Sequence, residues 1–339
     1  MFVPAPTTTL VPFREPMNEE PPTIAAADPE ASGLPPFFII GFQRSGTTLL
    51  RLMLDSHPDV AVPLDAVGLW ARYAARLDPE FGGLATDDDV RRLVEALLAE
   101  ERIRLWDVDM SAERILSAVG TRNFPAVIDA FNAAYAAAKG KRAWGSKDPG
   151  DMRRIHLIDE WFPHSRFVHI LRDGRDACAS LVAQDFGPDD LLTCADAWRE
   201  EVWWVRRIGR LLGPERYHEL RYEDLVSDPE AVLRPLCAFL SLEFEPAMLT
   251  YHARVGDAVP DEKRHIWPLI DKPPQADNVE RWRTRLSRGM RVCFEKRAGE
   301  VLAECGYEVL EGRPGGAYAT EVAAMLRRTY GVLRRRFGR

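Results

Sequence analysis

Cysteine is sparse and unpatterned in this chain. The 339 residues hold five (Cys178, Cys194, Cys237, Cys293, Cys305), with no C-x-x-C pair and no metal-ligand spacing. Their odd number and scatter suit a reducing compartment, so a cytoplasmic location is expected. Long hydrophobic runs are also missing, which leaves no transmembrane segment to expect. The N-terminus has no basic stretch followed by an apolar one, so no secretory signal is expected. Excess positive charge is absent: 45 Lys and Arg stand against 52 Asp and Glu, a net charge of −7. That balance gives no electrostatic footprint for nucleic acid. What remains, at 46% hydrophobic and 29% charged residues, is a soluble globular composition long enough for a large core.

One more absence sits inside the most informative segment. Residues 37–50 read Phe-Phe-Ile-Ile-Gly-Phe-Gln-Arg-Ser-Gly-Thr-Thr-Leu-Leu. An apolar strand, a tight loop and an amphipathic helix start make a phosphate-binding layout. Gly41 and Gly46 have the spacing of G-x-x-x-x-G-K-[ST], but Thr47 stands where that motif has lysine. The loop's positive charge is Arg44 instead. Such a loop can cradle a diphosphate-like group without the usual lysine for a terminal γ-phosphate. Backbone N–H groups, the hydroxyls of Ser45, Thr47 and Thr48, and the planar Arg44 guanidinium supply the donors. The bland alternative is an ordinary strand–turn–helix with hydroxyl caps.

Around this segment the chain alternates strand-like and helix-like stretches. Phe37–Gly41 reads as a central strand and 47–55 as a helix that stops before His57-Pro58. Residues 66–140 read as mostly helical, with Thr86 and Asp89 as a capped start and a helix over about 125–139 ending at Gly140. This block is the candidate for a substrate-covering insertion. Strands are expected at 142–145, 166–171 and 217–222, and helices at 175–184, 193–212 and from Asp228-Pro229 onward, kinked at Pro235. The order predicts an α/β fold: a P-loop-like parallel sheet with helices on both faces and a helical insertion. Residues 1–35, rich in proline, read as a disordered tail; 36–311 form the domain; 312–339 form a helical basic tail. That last segment, ending in Arg334, Arg335, Arg336 and Arg339, reads as a solvated helix. Weak contact with an anionic membrane surface is the sharper alternative, carried by Val322, Met325, Leu326 and Leu333.

Two further segments carry chemistry. Arg172 ends the 166–171 strand, and Ser180 lies about two helical turns later. Their side chains can converge on one anion; a salt bridge from Arg172 to Asp173 or Asp176 is the alternative. Lys147, in Trp-Gly-Ser-Lys-Asp-Pro, ends a short strand at the crevice where parallel sheets bind ligands; a surface lysine is its alternative.

At these segments the chain resembles the sulfotransferase family that uses 3′-phosphoadenosine 5′-phosphosulfate. The Arg-Ser-Gly-Thr-Thr loop is similar to its 5′-phosphosulfate loop, Arg-x₇-Ser to its 3′-phosphate motif, and Lys-Asp-Pro to elements near its sulfuryl group. Leu-Asp-Ser-His-Pro-Asp-Val at 54–60 and Arg-Tyr-Glu-Asp-Leu at 221–225 extend the resemblance. Arginine at position 44 looks more like the tyrosylprotein and bacterial branches. The resemblance implies sulfuryl transfer from that donor to an acceptor hydroxyl, in line and without a metal. Ser45, Gly46, Thr47 and Thr48 would hold the donor's 5′ end, and Arg172 and Ser180 its 3′-phosphate. Tyr222 would pack near the adenine, with Lys272 in a loop over the nucleotide. Arg44 and Lys147 would stabilise charge on the bridging oxygen.

The acceptor needs a general base. Where the tyrosylprotein branch has glutamate, this chain has Asp65, whose alternative role is a helix N-cap. His57 and Asp148 are rival bases. The acceptor itself is open among carbohydrate, glycolipid, peptidyl tyrosine and secondary-metabolite hydroxyls. Two other classes stay in view: a phosphotransferase using a nucleotide triphosphate through an altered loop, and a non-catalytic nucleotide-binding protein.

Overall fold

The structure, a computed structural model, describes residues 34–64, 68–147, 149–254 and 270–310. The expected tails, Asp65 and Asp148 lie outside the described residues. Contacts among the residues divide the chain into two bodies: residues 1–172 with 201–279, and residues 173–200 with 280–339.

The first body is built on a five-stranded sheet. Its strands are β1 (Phe37–Ile40), β2 (Val60–Ala61), β3 (Ala143–Lys147), β4 (Arg166–Leu171) and β5 (Tyr217–Arg221), ordered β2-β3-β1-β4-β5. Every pair is parallel. β1 is central, as its uninterrupted apolar run predicts, because a strand covered on both faces needs no polar side. The chain departs from β1 toward β2 and β3, then crosses to β4 and β5 on the other side. The loop after β1 and the residue after β4 therefore flank the switch point where parallel sheets bind ligands.

Alternation along the strands sorts the two faces. Phe37, Ile39, Val168, Ile170 and Leu220 join the core under helix α1 (Thr47–Asp55), whose Leu50, Leu52, Met53 and Leu54 are buried. Each such side chain contributes about 1.5–3 kcal/mol when fully buried. The alternate residues Phe38 and Phe167 meet Trp144 and Phe162 in an aromatic cluster. A long helix, α2 (Phe124–Ala138), belongs to that second face, where its Asp129 carboxylate accepts from Trp144 Nε1 at 2.9 Å. Burial first pushes the Asp129 pKa up, and the Trp144 hydrogen bond opposes it.

Between β2 and α2 the insertion is helical where described, and Thr86 closes a reciprocal capping box with Asp89, as the sequence predicts. Three details differ from the sequence reading. β3 runs on to Lys147 rather than ending at Gly145, because β1 pairs with Ser146 and Lys147. Tyr222 leaves β5 and opens the helix Tyr222–Ser227. The two-residue β2 has no sequence signature of its own and exists through pairing with Ala143 and Trp144.

Gly145 faces Phe37 across the β1–β3 ladder. A Cβ there would lie 2.3 Å from the Phe37 ring. Gly145→Val is expected to destabilise the fold by about 1–3 kcal/mol, read as a lowered midpoint in urea. An unchanged midpoint would show that the ring moves aside without cost.

In the second body, α3 (Gly174–Val182) and α4 (Arg288–Glu304) carry a buried charged centre. Arg175 pairs with Asp173 at 2.7 Å and Glu295 at 2.6 Å, with all three buried. Its guanidinium lies 3.6 Å from the centre of the Trp282 ring, and the backbone N–H of Trp282 donates to Asp176 Oδ1. α4 has no clean apolar stripe in the sequence, since the buried positions include Glu295 and Gly299 beside Phe294, Ala298, Val301 and Leu302.

Candidate active site

The loop between β1 and α1 is held in a special backbone conformation. Arg44 (φ 67°) and Gly46 (φ 93°) both adopt left-handed geometry. For glycine this costs nothing; for arginine it stores strain that the surroundings must hold. Ser45 N–H closes the turn on Phe42 O at 3.0 Å. Gly46 is the N-cap of α1 and, having no side chain, leaves the first N–H groups of that helix without an N-cap side-chain acceptor. These N–H groups and the helix dipole favour an anion at this end.

Two buried polar atoms at the loop lack a partner: Ser45 Oγ and Arg172 Nε. Other buried polar atoms among the described residues are left so too; what sets these two apart is that both are donors beside the α1 N-terminus, where an anion's oxygens would meet them. Arg172 does reach the loop. Its Nη1 donates to Arg44 O at 2.8 Å and its Nη2 to Asn278 O at 2.9 Å. The guanidinium also sits over the Tyr222 ring, 4.3 Å from its centre. Burial first, and then the Arg172 charge, push the Arg44 pKa below its ordinary value. Two cations sharing a partly desolvated place form a site that gains from an anion.

Tyr222 forms the wall beside Gly46. A Cβ at Gly46 would meet its ring at 2.5 Å. The Tyr222 hydroxyl accepts from Asn278 Nδ2 at 2.9 Å. Asn278 is a site residue that the sequence reading missed, and its polar surroundings (Gln-Ala-Asp-Asn-Val) carry no signal that could have found it.

Lys147 is 2% exposed, and its Nζ donates to Thr48 Oγ1 at 3.2 Å. The register Ile39↔Lys147 sets it level with the end of β1, so a distant lysine stands beside the loop whose own lysine is replaced by Thr47. The surface-lysine reading falls with this placement.

His57 is buried, with both ring nitrogens engaged. Nδ1 accepts from Asp59 N–H at 3.1 Å, which assigns the proton to Nε2, 2.8 Å from Glu243 O. It fastens a turn rather than facing an acceptor, so it is set aside as a base. Lys272 is exposed, and its backbone carbonyl accepts from the Tyr251 hydroxyl at 2.7 Å. Ser180 is half-buried on α3 in the second body, where Asp173 is taken by Arg175.

The loop, Lys147, Arg172 and Tyr222 thus come together in the first body around an anion-seeking helix end. A family model described as "Sulfotransferase family" matches residues 35–246, which include all of these. A protein-tyrosine sulfotransferase of Drosophila melanogaster is 26% identical over 74% of this chain and 47% of its own length. Protein-tyrosine sulfotransferase 1 of Danio rerio is 28% identical over 81% of this chain and 73% of its own. The chain therefore spans about half the length of the fly relative. In structure, the sulfotransferase domain of the Synechococcus olefin synthase superposes with a TM-score of 0.57 over 86% of this chain and 99% of that one, at 20% identity. That likeness concerns the fold, a parallel sheet clad in helices. With the family match covering the loop, the lysine and the arginine that build this site, the chain belongs to the sulfotransferase family.

Proposed function

We propose that this protein transfers a sulfuryl group from 3′-phosphoadenosine 5′-phosphosulfate to an acceptor hydroxyl. The observation that carries this reading is Lys147 beside Thr48, with Arg44 in the same loop. Cationic groups stand where a diphosphate-like bridge would lie, and no lysine occupies the loop's γ-phosphate position. The orphaned Ser45 Oγ and Arg172 Nε fit the phosphate oxygens of such a donor.

In this reading Ser45, Gly46, Thr47 and Thr48 bind the 5′ end through N–H and hydroxyl donors. Arg172, with Ser180, binds the 3′-phosphate, Tyr222 neighbours the adenine, and Lys272 lies on a covering loop. When bound, the donor supplies an activated sulfuryl group. Asp65 takes the acceptor proton as the new oxygen–sulfur bond forms and the sulfur–oxygen bond to the 5′-phosphate breaks. Lys147 and Arg44 hold positive charge at the oxygen that gains the electron pair, and no metal is needed for that role. The relatives' name makes a tyrosine hydroxyl the first acceptor to try. The number and scatter of the five cysteines in the sequence suit a reducing, cytoplasmic setting.

Thermal shift separates this reading from a phosphotransferase. Adenosine 3′,5′-bisphosphate without Mg²⁺ is expected to raise Tm more than Mg²⁺-ATP at equal concentration. Preferential stabilisation by Mg²⁺-ATP would overturn the proposal. A non-catalytic binder would show the same shift but no turnover on any acceptor.

A further inference from the structure

Residues 270–279 form a segment of the first body that few apolar contacts hold. Ile270 is buried at its start, and Val279 packs against the core at its end. Most residues between them are exposed, Lys272 and Asp277 among them. A segment of this kind belongs to the low-stability end of a fold, so its hydrogen bonds set its place. Its last part is a short turn, Ala276–Asn278, in which Asn278 N–H donates to Gln275 O at 3.1 Å and Val279 N–H to Ala276 O at 3.2 Å. The turn presents Asn278 to the site twice. The Asn278 carbonyl accepts from Arg172 Nη2 at 2.9 Å, and its Nδ2 donates to the Tyr222 hydroxyl at 2.9 Å. The Arg172 guanidinium in turn lies over the Tyr222 ring, 4.3 Å from its centre. The three residues close a ring of contacts, and Asn278 touches both of the others.

The shape of a guanidinium decides what this ring does. The group is planar and rigid, so fixing two of its nitrogens fixes the direction of the third. Arg44 O holds Nη1 at 2.8 Å, Asn278 O holds Nη2, and the Tyr222 ring supports one face. Nε, buried and without a partner, is thereby left pointing in a set direction. A phosphate oxygen is the strong acceptor that such a donor lacks. An arginine side chain has much rotamer freedom to lose on binding an anion, and here that freedom is lost beforehand.

From this geometry we infer that Asn278 is a positioning residue that favours nucleotides carrying a 3′-phosphate: it fixes the plane of Arg172 directly through its carbonyl and indirectly through Tyr222. The inference rests on the reading of Arg172 as the residue that binds this phosphate. Adenosine 5′-phosphate and adenosine 3′,5′-bisphosphate share the adenine and the 5′ end, so the ratio of their affinities isolates what the 3′-phosphate adds.

Isothermal titration of both nucleotides against Asn278→Ala is the test. The substitution deletes the amide and keeps the carbonyl, which is then less firmly held. Preference for the bisphosphate is expected to fall about fivefold, the usual worth of one hydrogen bond. Affinity for adenosine 5′-phosphate should change by less than about twofold, because the 5′ end is untouched. Tyr222→Phe deletes the same bond from its other end and keeps the ring under Arg172. In that background Asn278→Ala should lower the preference by less than about twofold, since the bond is already gone. A wild-type preference in Asn278→Ala, an equal weakening of both nucleotides, or an undiminished loss in the Tyr222→Phe background overturns the inference. Arg172→Ala separates it from the reading beneath. If that variant loses the preference, the reading of Arg172 stands whatever Asn278 does. If it keeps the preference, or the wild-type protein shows none, the reading and the inference fall together. Should Asn278→Ala fail to fold, Tyr222→Phe alone should show the same fall, and a wild-type preference there overturns the inference.

Discussion

Lys147→Met is expected to reduce turnover by about 10²–10³-fold, the usual cost of removing one group aimed at developing charge. Methionine nearly matches the length of the lysine stem and packs in the same buried slot. It removes the charge without opening a cavity. Lys147 is 2% exposed, so deleting a buried ammonium should leave Tm equal or higher. The split between binding and rate is diagnostic. Lys147 Nζ is 3.2 Å from Thr48 Oγ1, at the loop proposed to receive the 5′ end. Its contribution should appear mainly as the bridging oxygen gains charge, and little in a ground-state complex. Affinity for the intact sulfuryl donor, in which that oxygen is still bridging, should therefore change by less than about threefold. If the methionine variant turns over near the wild-type rate, the charge is stabilised elsewhere and Lys147 only supports the loop. If affinity and rate fall together, the lysine binds the donor uniformly.

Gly46→Ala has the second large expectation. Its φ of 93° lies where an L-residue pays a steric penalty, and the added Cβ would stand 2.5 Å from the Tyr222 ring. The conflict can be relieved by moving Tyr222 or by turning the peptide that presents the α1 N–H groups. Moving Tyr222 disturbs the ring under Arg172 and its hydroxyl contact with Asn278. Turning the peptide spoils the anion-binding donors directly. Affinity for adenosine 3′,5′-bisphosphate is expected to weaken about 100-fold, equivalent to about 2.7 kcal/mol. Isothermal titration reads it, with circular dichroism checking that the sheet remains. Wild-type affinity in this variant would mean that donor binding does not depend on the loop's backbone geometry.

Much of the loop between β1 and α1 was legible because its signals are local. An apolar strand, two glycines at a set spacing, hydroxyls and an amphipathic turn lie within a short run of chain, so β1 and α1 fall where the pattern places them. β4 is equally plain, because a buried parallel strand reads as continuous apolar sequence. β2 was not legible: two residues carry no period. α4 was missed because a buried Glu295, paired with Arg175, breaks the stripe that would reveal it. Lys147 could be named as a candidate, but its partner could not, since 99 positions separate it from Thr48.

By itself, then, the sequence determined the phosphate loop, the helix it starts, the alternation that makes a parallel sheet and the family. These follow from backbone preferences and hydrophobic period, which act over a few residues. Only the tertiary structure decided which distant side chains serve the loop. β-strand register brought Lys147 level with the end of β1. The crossover to β4 and the return of residues 276–279 set Arg172 between Arg44 and Asn278. Such meetings depend on how whole elements stack and cross, a property spread over the complete chain, and no short window of residues encodes them.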